Sequence, residues 1–107
     1  MTFRVRILRR AERDAQRIFH WIAERSPDGA VRWWSAFESA VAKLADNPTG
    51  YSFAPEYELT DHELRQFVFK TRNGRTYRGV FVVMSDEINV LRIRGPGQPT
   101  LEPDEIG

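Results

Sequence analysis

The segment SPDGAVRWWSAFESAVAKLADNP, residues 26–48, decides the architecture. Ser26-Pro27-Asp28 reads as the start of a helix: an N-cap serine, a first-turn proline whose missing N–H costs nothing there, and a first-turn acid. Ala30, Trp33, Trp34, Phe37, Val41 and Leu44 then fall on one apolar stripe at helical spacing. The helix should stop at Asp46-Asn47-Pro48, because proline disfavours the helical conformation of the residue before it. Upstream, from about Arg10, Ala11, Ala15, Ile18, Phe19 and Ile22 form a second stripe, with Glu12, Arg13, Gln16 and His20 outside it. The break at Ser26-Pro27 is so short that the two helices must fold back as an antiparallel hairpin.

Strands flank this hairpin. Phe3-Arg4-Val5-Arg6-Ile7 alternates apolar and basic residues, which predicts a half-buried strand with its arginines on the opposite face. Residues 48–63 show no clean period. Gly50, Pro55 and the rings of Tyr51, Phe53 and Tyr57 suggest an ordered connection, with Asp61-His62-Glu63 as a polar loop. Leu64 to Arg72 reads as a strand and Asn73-Gly74 as a two-residue hairpin turn. Arg75 to Met84 is the next strand, Ser85-Asp86-Glu87 a turn, and Ile88 to Arg94 the last strand. Gly95-Pro96-Gly97 and Pro99 then exclude regular structure. The order is β-α-α-β-β-β: an α+β fold with the helical hairpin packed on one face of a small, mainly antiparallel sheet. Residues 1–97 form the single domain, and 98–107 an irregular acidic tail.

Composition narrows the functional classes. The 107 residues include no cysteine, so neither disulfides nor thiolate metal ligands exist. Two histidines, His20 and His62, are too few for an all-histidine metal site, and neither a metal nor a cofactor is expected. Three Trp, seven Phe and three Tyr supply a packed core. The longest apolar run, Val80 to Met84, is far too short to cross a bilayer, and Met1 to Arg6 show no secretion signal. The expected location is the cytoplasm, with no membrane partner. The motifs HExxH, Walker A and GxSxG are all missing from the sequence.

Charge is sorted into blocks. Residues 1–25 hold seven arginines against three acids, and residues 26–64 two basic residues against seven acids. Residues 65–94 hold seven basic residues against Asp86 and Glu87, and the tail carries three acids. Lys43 and Lys70 are the two lysines among sixteen basic residues. Arginine's planar fork grips phosphate or carboxylate with two hydrogen bonds, and its segregation favours an anionic partner.

A two-residue turn at Asn73-Gly74 would pair Arg72 with Arg75, Lys70 with Tyr77 and Phe69 with Arg78. Strand alternation then puts Phe67, Phe69, Arg78, Val80 and Val82 on one face, and Val68, Lys70, Arg72, Tyr77, Phe81 and Val83 on the other. If Leu91 and Ile93 face the helices, Arg92 and Arg94 land beside Lys70, Arg72 and Tyr77 as a basic sheet face with an aromatic at its centre. A one-residue slip of register would exchange the faces. Structural readings stand beside each of these: Arg78 at the edge of the core, Tyr77 as sheet packing, Arg92 and Arg94 on a solvated strand. Trp33 and Trp34 read as hairpin core rather than as a stacking platform.

The chain resembles toxins of the RelE/ParE superfamily from bacterial type II toxin–antitoxin systems over residues 3–97. The resemblance rests on Val5-Arg6-Ile7 with Ala11-Glu12-Arg13-Asp14, Ile18, Trp21-Ile22, Ser26-Pro27, Ala30, Trp33, Leu44 and Asn47-Pro48. It is strongest in Glu63-Leu64-Arg65, Tyr77-Arg78-Gly79-Val80-Phe81 and Val90-Leu91-Arg92-Ile93-Arg94. It implies a cognate antitoxin, a hetero-oligomer with it, and one of two targets. The RelE-like branch cleaves mRNA in the ribosomal A site without metal. By motif, Arg78 and Arg94 would be its catalytic arginines, holding the phosphate while the ribose 2′-hydroxyl attacks. Arg65, Lys70, Arg72, Tyr77 and Arg92 would contact nucleic acid or another target. The ParE-like branch poisons DNA gyrase and needs no catalytic residue. Family nucleases tend to carry further basic, His or Tyr residues after the last strand. This chain instead runs Gly95-Pro96-Gly97-Gln98-Pro99 into acids, and arginine stays charged and shuttles protons poorly. The expectation is therefore a gyrase-directed toxin. The alternatives are a ribosome-dependent mRNA endoribonuclease and a non-toxic RNA- or protein-binding module.

Overall fold

Strand, two helices and three more strands follow one another in the order expected from the sequence. A computed structural model describes residues 3–60 and 62–106; Asp61, part of the expected polar loop, lies outside the described residues. β1 spans Arg4–Ile7, α1 Arg9–Ala23 and α2 Pro27–Lys43. β2 spans Arg65–Phe69, β3 Tyr77–Met84 and β4 Glu87–Arg94. Two single 3-10 turns, Pro48–Gly50 and Pro55–Leu59, lie in the connection after α2, and a short C-terminal helix, α3, covers Pro103–Ile106.

The helical hairpin forms for the reasons visible in its sequence. Ser26 Oγ accepts the Gly29 N–H at 3.0 Å and so caps α2, with Pro27 as its first residue. Ala30, Trp33, Phe37 and Val41 are buried along α2 and Leu44 just beyond it, while Ala11 and Ala15 let α1 approach closely.

The sheet order is β1-β4-β3-β2, with β1 parallel to β4 and the other two pairs antiparallel. Arg4 and Arg6 point to solvent from β1 and meet Glu87, as the alternation in that segment requires. Ser85 takes a φ of 59° in the two-residue turn that joins Met84 to Glu87.

The β2–β3 register differs by one residue from the expected one. Phe69 pairs with Tyr77 and Phe67 with Gly79, and residues 70–76 form a longer connection. Its turn is closed by Gly74 N–H to Thr71 O at 3.1 Å, and neither Asn73 nor Gly74 has a positive φ. The cause is packing. This register turns Tyr77 and Phe81 toward the helices with Phe67 and Phe69, and turns Arg78 away. Trp33 then sits 5.5 Å from Tyr77, 5.6 Å from Phe69 and 5.6 Å from Phe37, measured between ring centroids. Burying these rings outweighs the local preference of Asn-Gly for a tight turn. Gly79 is part of the same solution, since a Cβ there would lie 2.2 Å from the Phe67 ring.

A second departure follows in β4. A bulge opposite Val80 and Phe81 leaves Leu91 outside the pairing. Ile88, Val90 and Ile93 can therefore all pack with the helices, while Leu91 packs on the other side. Arg92 and Arg94 pair in register with Val80 and Arg78, so Tyr77 is across the sheet from them. The basic face centred on Tyr77 does not form.

The tail also differs from the irregular segment expected. Leu101 and Ile106 are buried against Ala54, Leu64, Val80 and Val82, forming a second small core on the sheet face opposite the helices. Proline and acid content hid this docking, which needs two apolar residues and no period.

Trp33→Ala should lower the unfolding free energy by roughly 3–5 kcal/mol, and Gly79→Ala by roughly 1–3 kcal/mol through overpacking against Phe67. Urea denaturation measures both. A Trp33→Ala midpoint close to wild type would mean that its ring is not in the core.

Candidate functional site

Arg78, Arg92 and Arg94 converge on the sheet face covered by the tail. β3 supplies the first and β4 the other two, with Arg78 directly opposite Arg94. Each has a partner within the chain.

Glu56, in the second 3-10 turn, is 1% exposed and faces Arg78. Arg78 Nη1 donates to Glu56 Oε1 at 3.1 Å, and Nη2 donates to Oε2. The Leu101 N–H adds a third bond to Oε2 at 2.8 Å. Burial pushes the Glu56 carboxyl up, but the Arg78 hydrogen bonds, the Leu101 amide and the Arg78 charge together hold it below its ordinary value.

Asp14 plays the same part for Arg92. It is 3% exposed on α1 and accepts Arg92 Nε at 2.8 Å and Nη2 at 3.0 Å. Arg17 Nη2 at 2.7 Å and the Ile93 N–H at 3.0 Å complete its shell. Arg92 Nη1 reaches Glu105 O in α3 at 2.9 Å. The Asp14 hydrogen bonds raise the Arg92 pKa further, against the effect of burial.

Arg94 is the least neutralised of the three. Nη2 donates to Pro99 O at 2.7 Å, Glu105 lies 3.9 Å away, and the buried Nε has no partner among the described residues.

The other candidates lie apart. Arg65 donates to Tyr51 O at 2.6 Å, contacts Glu63 at 3.6 Å and stacks over Phe53. Lys70 and Arg72 are exposed on the 70–76 connection. Tyr77 lines a cleft of about 380 Å³ with Trp21, Ile18 and Ile93, with Arg17 and Arg75 also on its wall. Burial pushes the Tyr77 hydroxyl up, while the Arg75 charge draws it down. The structure thus brings Arg78, Arg92 and Arg94 together and leaves Arg65, Lys70, Arg72 and Tyr77 outside the cluster.

Two residues central to the cluster, Asp14 and Glu56, were not among the candidates. Asp14 had a readable signal: it sits three residues after Ala11 and four before Ile18, within the apolar stripe of α1. Glu56 had none, because its segment has no period.

Chemically, the cluster can hold carboxylates in place, and it does so with the chain's own. A phosphate taking the Nη pair of Arg78 or the Nε–Nη2 edge of Arg92 would displace Glu56 or Asp14, each hydrogen-bonded to a backbone amide. No histidine is in contact with these arginines; His20 and His62 are exposed elsewhere. No group of three or more His, Cys, Asp or Glu side chains suited to a metal occurs among the described residues.

A sequence model of the ParE toxin of type II toxin–antitoxin systems matches residues 5–98. The chain belongs to the ParE toxin family. The match runs from β1 through the glycine–proline turn after β4, so it includes both buried carboxylates and all three clustered arginines. A curated relative, Toxin RelE1 of Caulobacter vibrioides, is 39% identical over 56 residues, 51% of this chain. The aligned part spans 60% of that relative's length. Among the described residues, no helix of this ParE-family chain is long and apolar enough to cross a membrane.

Because the folded Glu56 carboxyl titrates below its ordinary value of 4.5, its stabilisation is complete above that pH and is lost as pH falls through the lower folded value. Glu56→Gln should therefore be less stable than wild type at pH 7, with the gap closing below about pH 4.5. Urea midpoints measured from pH 7 to pH 3 check this. A gap independent of pH would show that the Glu56 charge contributes nothing.

Proposed function

We propose that this chain is the toxin of a type II toxin–antitoxin pair and that it arrests growth by binding and poisoning DNA gyrase in the cytoplasm. A cognate antitoxin neutralises it by forming a hetero-oligomer. Family membership supports the toxin role. The choice of gyrase rests on the internal neutralisation of the arginines. Arg78 and Arg92 are each locked to a buried carboxylate, and Arg94 is capped by the tail. A ribonuclease of this class needs free cations on the scissile phosphate and a group that takes the 2′-hydroxyl proton. A protein that acts by occupying another protein's surface needs neither.

A second reading, ribosome-dependent mRNA cleavage, is favoured by the name of the relative Toxin RelE1 and by the unpartnered Arg94 Nε. In that reading Arg78 and Arg94 stabilise the phosphorane charge, and losing either costs on the order of a hundredfold or more in rate.

Induced expression separates the two. The gyrase reading expects growth arrest with double-strand DNA breaks and a DNA-damage response, intact messages, and trapped cleavage complexes when purified gyrase is incubated with the chain. Fragmented ribosome-bound messages that disappear in Arg78→Ala, with undamaged DNA, would overturn it in favour of the nuclease. Arrest with both messages and DNA intact would overturn both mechanisms.

A further inference from the structure

β3 begins and β4 ends beside α1, and the cleft of about 380 Å³ that Tyr77 lines lies between them. That volume is at the small end of the range for sites that take small molecules. Its aromatic walls are held from behind. Trp21 is 55% exposed, and the Arg25 guanidinium lies 3.8 Å from its ring centroid while donating to Trp21 O at 2.7 Å. Tyr77 packs edge-on to Trp33 and stacks on Phe69. Another wall is the turn after β4, closed by the Gln98 N–H to Gly95 O at 3.3 Å and the Gly95 N–H to Gln98 Oε1 at 2.5 Å. Ile18 and Ile93 add apolar surface. Walls already fixed in this way spare a flat ligand the cost of ordering them.

The polar lining is rich in donors. Arg17 gives one Nη to Asp14 at 2.7 Å, and its side chain is 64% exposed. Arg75 is exposed and makes no hydrogen bond or ion pair among the described residues. Burial pushes the Tyr77 hydroxyl up, so it stays protonated and able to donate. Asp14 is the one carboxylate of the lining among the described residues, and it is shared between Arg17 and Arg92. Three guanidiniums, Arg17, Arg75 and Arg92, therefore stand against one carboxylate, while Glu105 is paired with Arg94. Two positive charges are left over. A phosphate monoester carries close to two negative charges at neutral pH, whereas each phosphodiester of a nucleic acid carries one.

We propose that this cleft binds a free nucleoside monophosphate, a flat heteroaromatic ring joined to a doubly charged phosphate. The base lies against Trp21 and Tyr77. The phosphate takes the open guanidinium edges of Arg17 and Arg75. The site is across the sheet from Arg78 and Arg94, and it rests on neither reading of the growth-arrest target. A nucleic-acid strand is a poor occupant, because its internal phosphates carry single charges and the cleft has room for one nucleotide. A carboxylate ligand likewise leaves one of the two positive charges unmatched.

The probe is adenosine monophosphate, compared with adenosine, inorganic phosphate and a short adenosine oligonucleotide without a terminal phosphate. Calorimetric titration of the full chain measures affinity. The indole N–H resonance of Trp21, assigned by its loss in Trp21→Phe, reports where the ligand sits. Adenosine monophosphate should bind saturably and at least tenfold more tightly than each of the other three. It should shift the Trp21 resonance and leave that of Trp34 fixed. Arg75→Ala changes an exposed side chain that has no partner, so its urea midpoint should match wild type while the nucleotide binds at least tenfold more weakly and adenosine is unaffected. Trp21→Ala should weaken the nucleotide and adenosine alike and leave phosphate unchanged. No saturable binding, equal binding of phosphate or adenosine alone, equal or tighter binding of the oligonucleotide, a fixed Trp21 resonance, or wild-type affinity in Arg75→Ala would overturn the proposal.

Discussion

The Asp14 carboxylate closes a gap that the strand lengths create. β4 runs eight residues and its parallel neighbour β1 four, so the last part of β4 has no strand on that side. α1 begins two residues after β1 and carries Asp14 to the uncovered edge, where it accepts the Ile93 N–H that a longer β1 would have satisfied. A carboxylate in that position needs compensation for leaving water, and Arg92 supplies it from the same strand. Arg92 in turn holds the tail through Glu105 O. One ion pair thereby joins the helical hairpin, the sheet edge and the C-terminal segment. Glu56 repeats the device on the other side of the cluster, joining the long connection after α2 to β3 and to Leu101.

This arrangement changes what an arginine cluster means. Charge segregation in the sequence suggests an anionic partner, and the structure shows that much of the anion is internal. The acidic connection and the acidic tail supply the carboxylate and carbonyl oxygens that the basic strands require. Removing one partner from such a pair leaves a buried charge unpaired, typically at a cost of about 3–5 kcal/mol. An external phosphate therefore competes with groups already placed at hydrogen-bond distance. The exposed cations lie elsewhere, on β1, on the helical hairpin and on the 70–76 connection.

Much of the fold was legible because it rests on long, periodic signals. The stripe from Ala30 to Leu44, the cap at Ser26 and the alternation in residues 3–7 each specify their element locally. The site was less legible because it depends on register. Asn73-Gly74 is a strong local turn signal, yet Tyr77 and Phe81 gain more by stacking with the helices, and a one-residue shift moved Arg78 to the opposite face. The bulge exchanged the faces of Leu91 and Val90 while Arg92 and Arg94 kept the expected face opposite the helices, and no single residue type marks a bulge in advance. Asp14 was visible as an acid within an apolar stripe. Glu56, Leu101 and Ile106 acquire their roles from the tail folding back over the sheet, a long-range contact that no local pattern encodes.

The central claim is that Arg78, Arg92 and Arg94 serve the fold rather than a phosphate. Guanidinium Nε–H resonances observed by NMR during titration with a short oligoribonucleotide test it most directly. The account predicts that the Arg78 and Arg92 signals stay fixed to millimolar concentration, with the Glu56 and Asp14 carboxylates still bonded to them. Saturable shifts at Arg78 and Arg94, with the Glu56 carboxylate released, would contradict it.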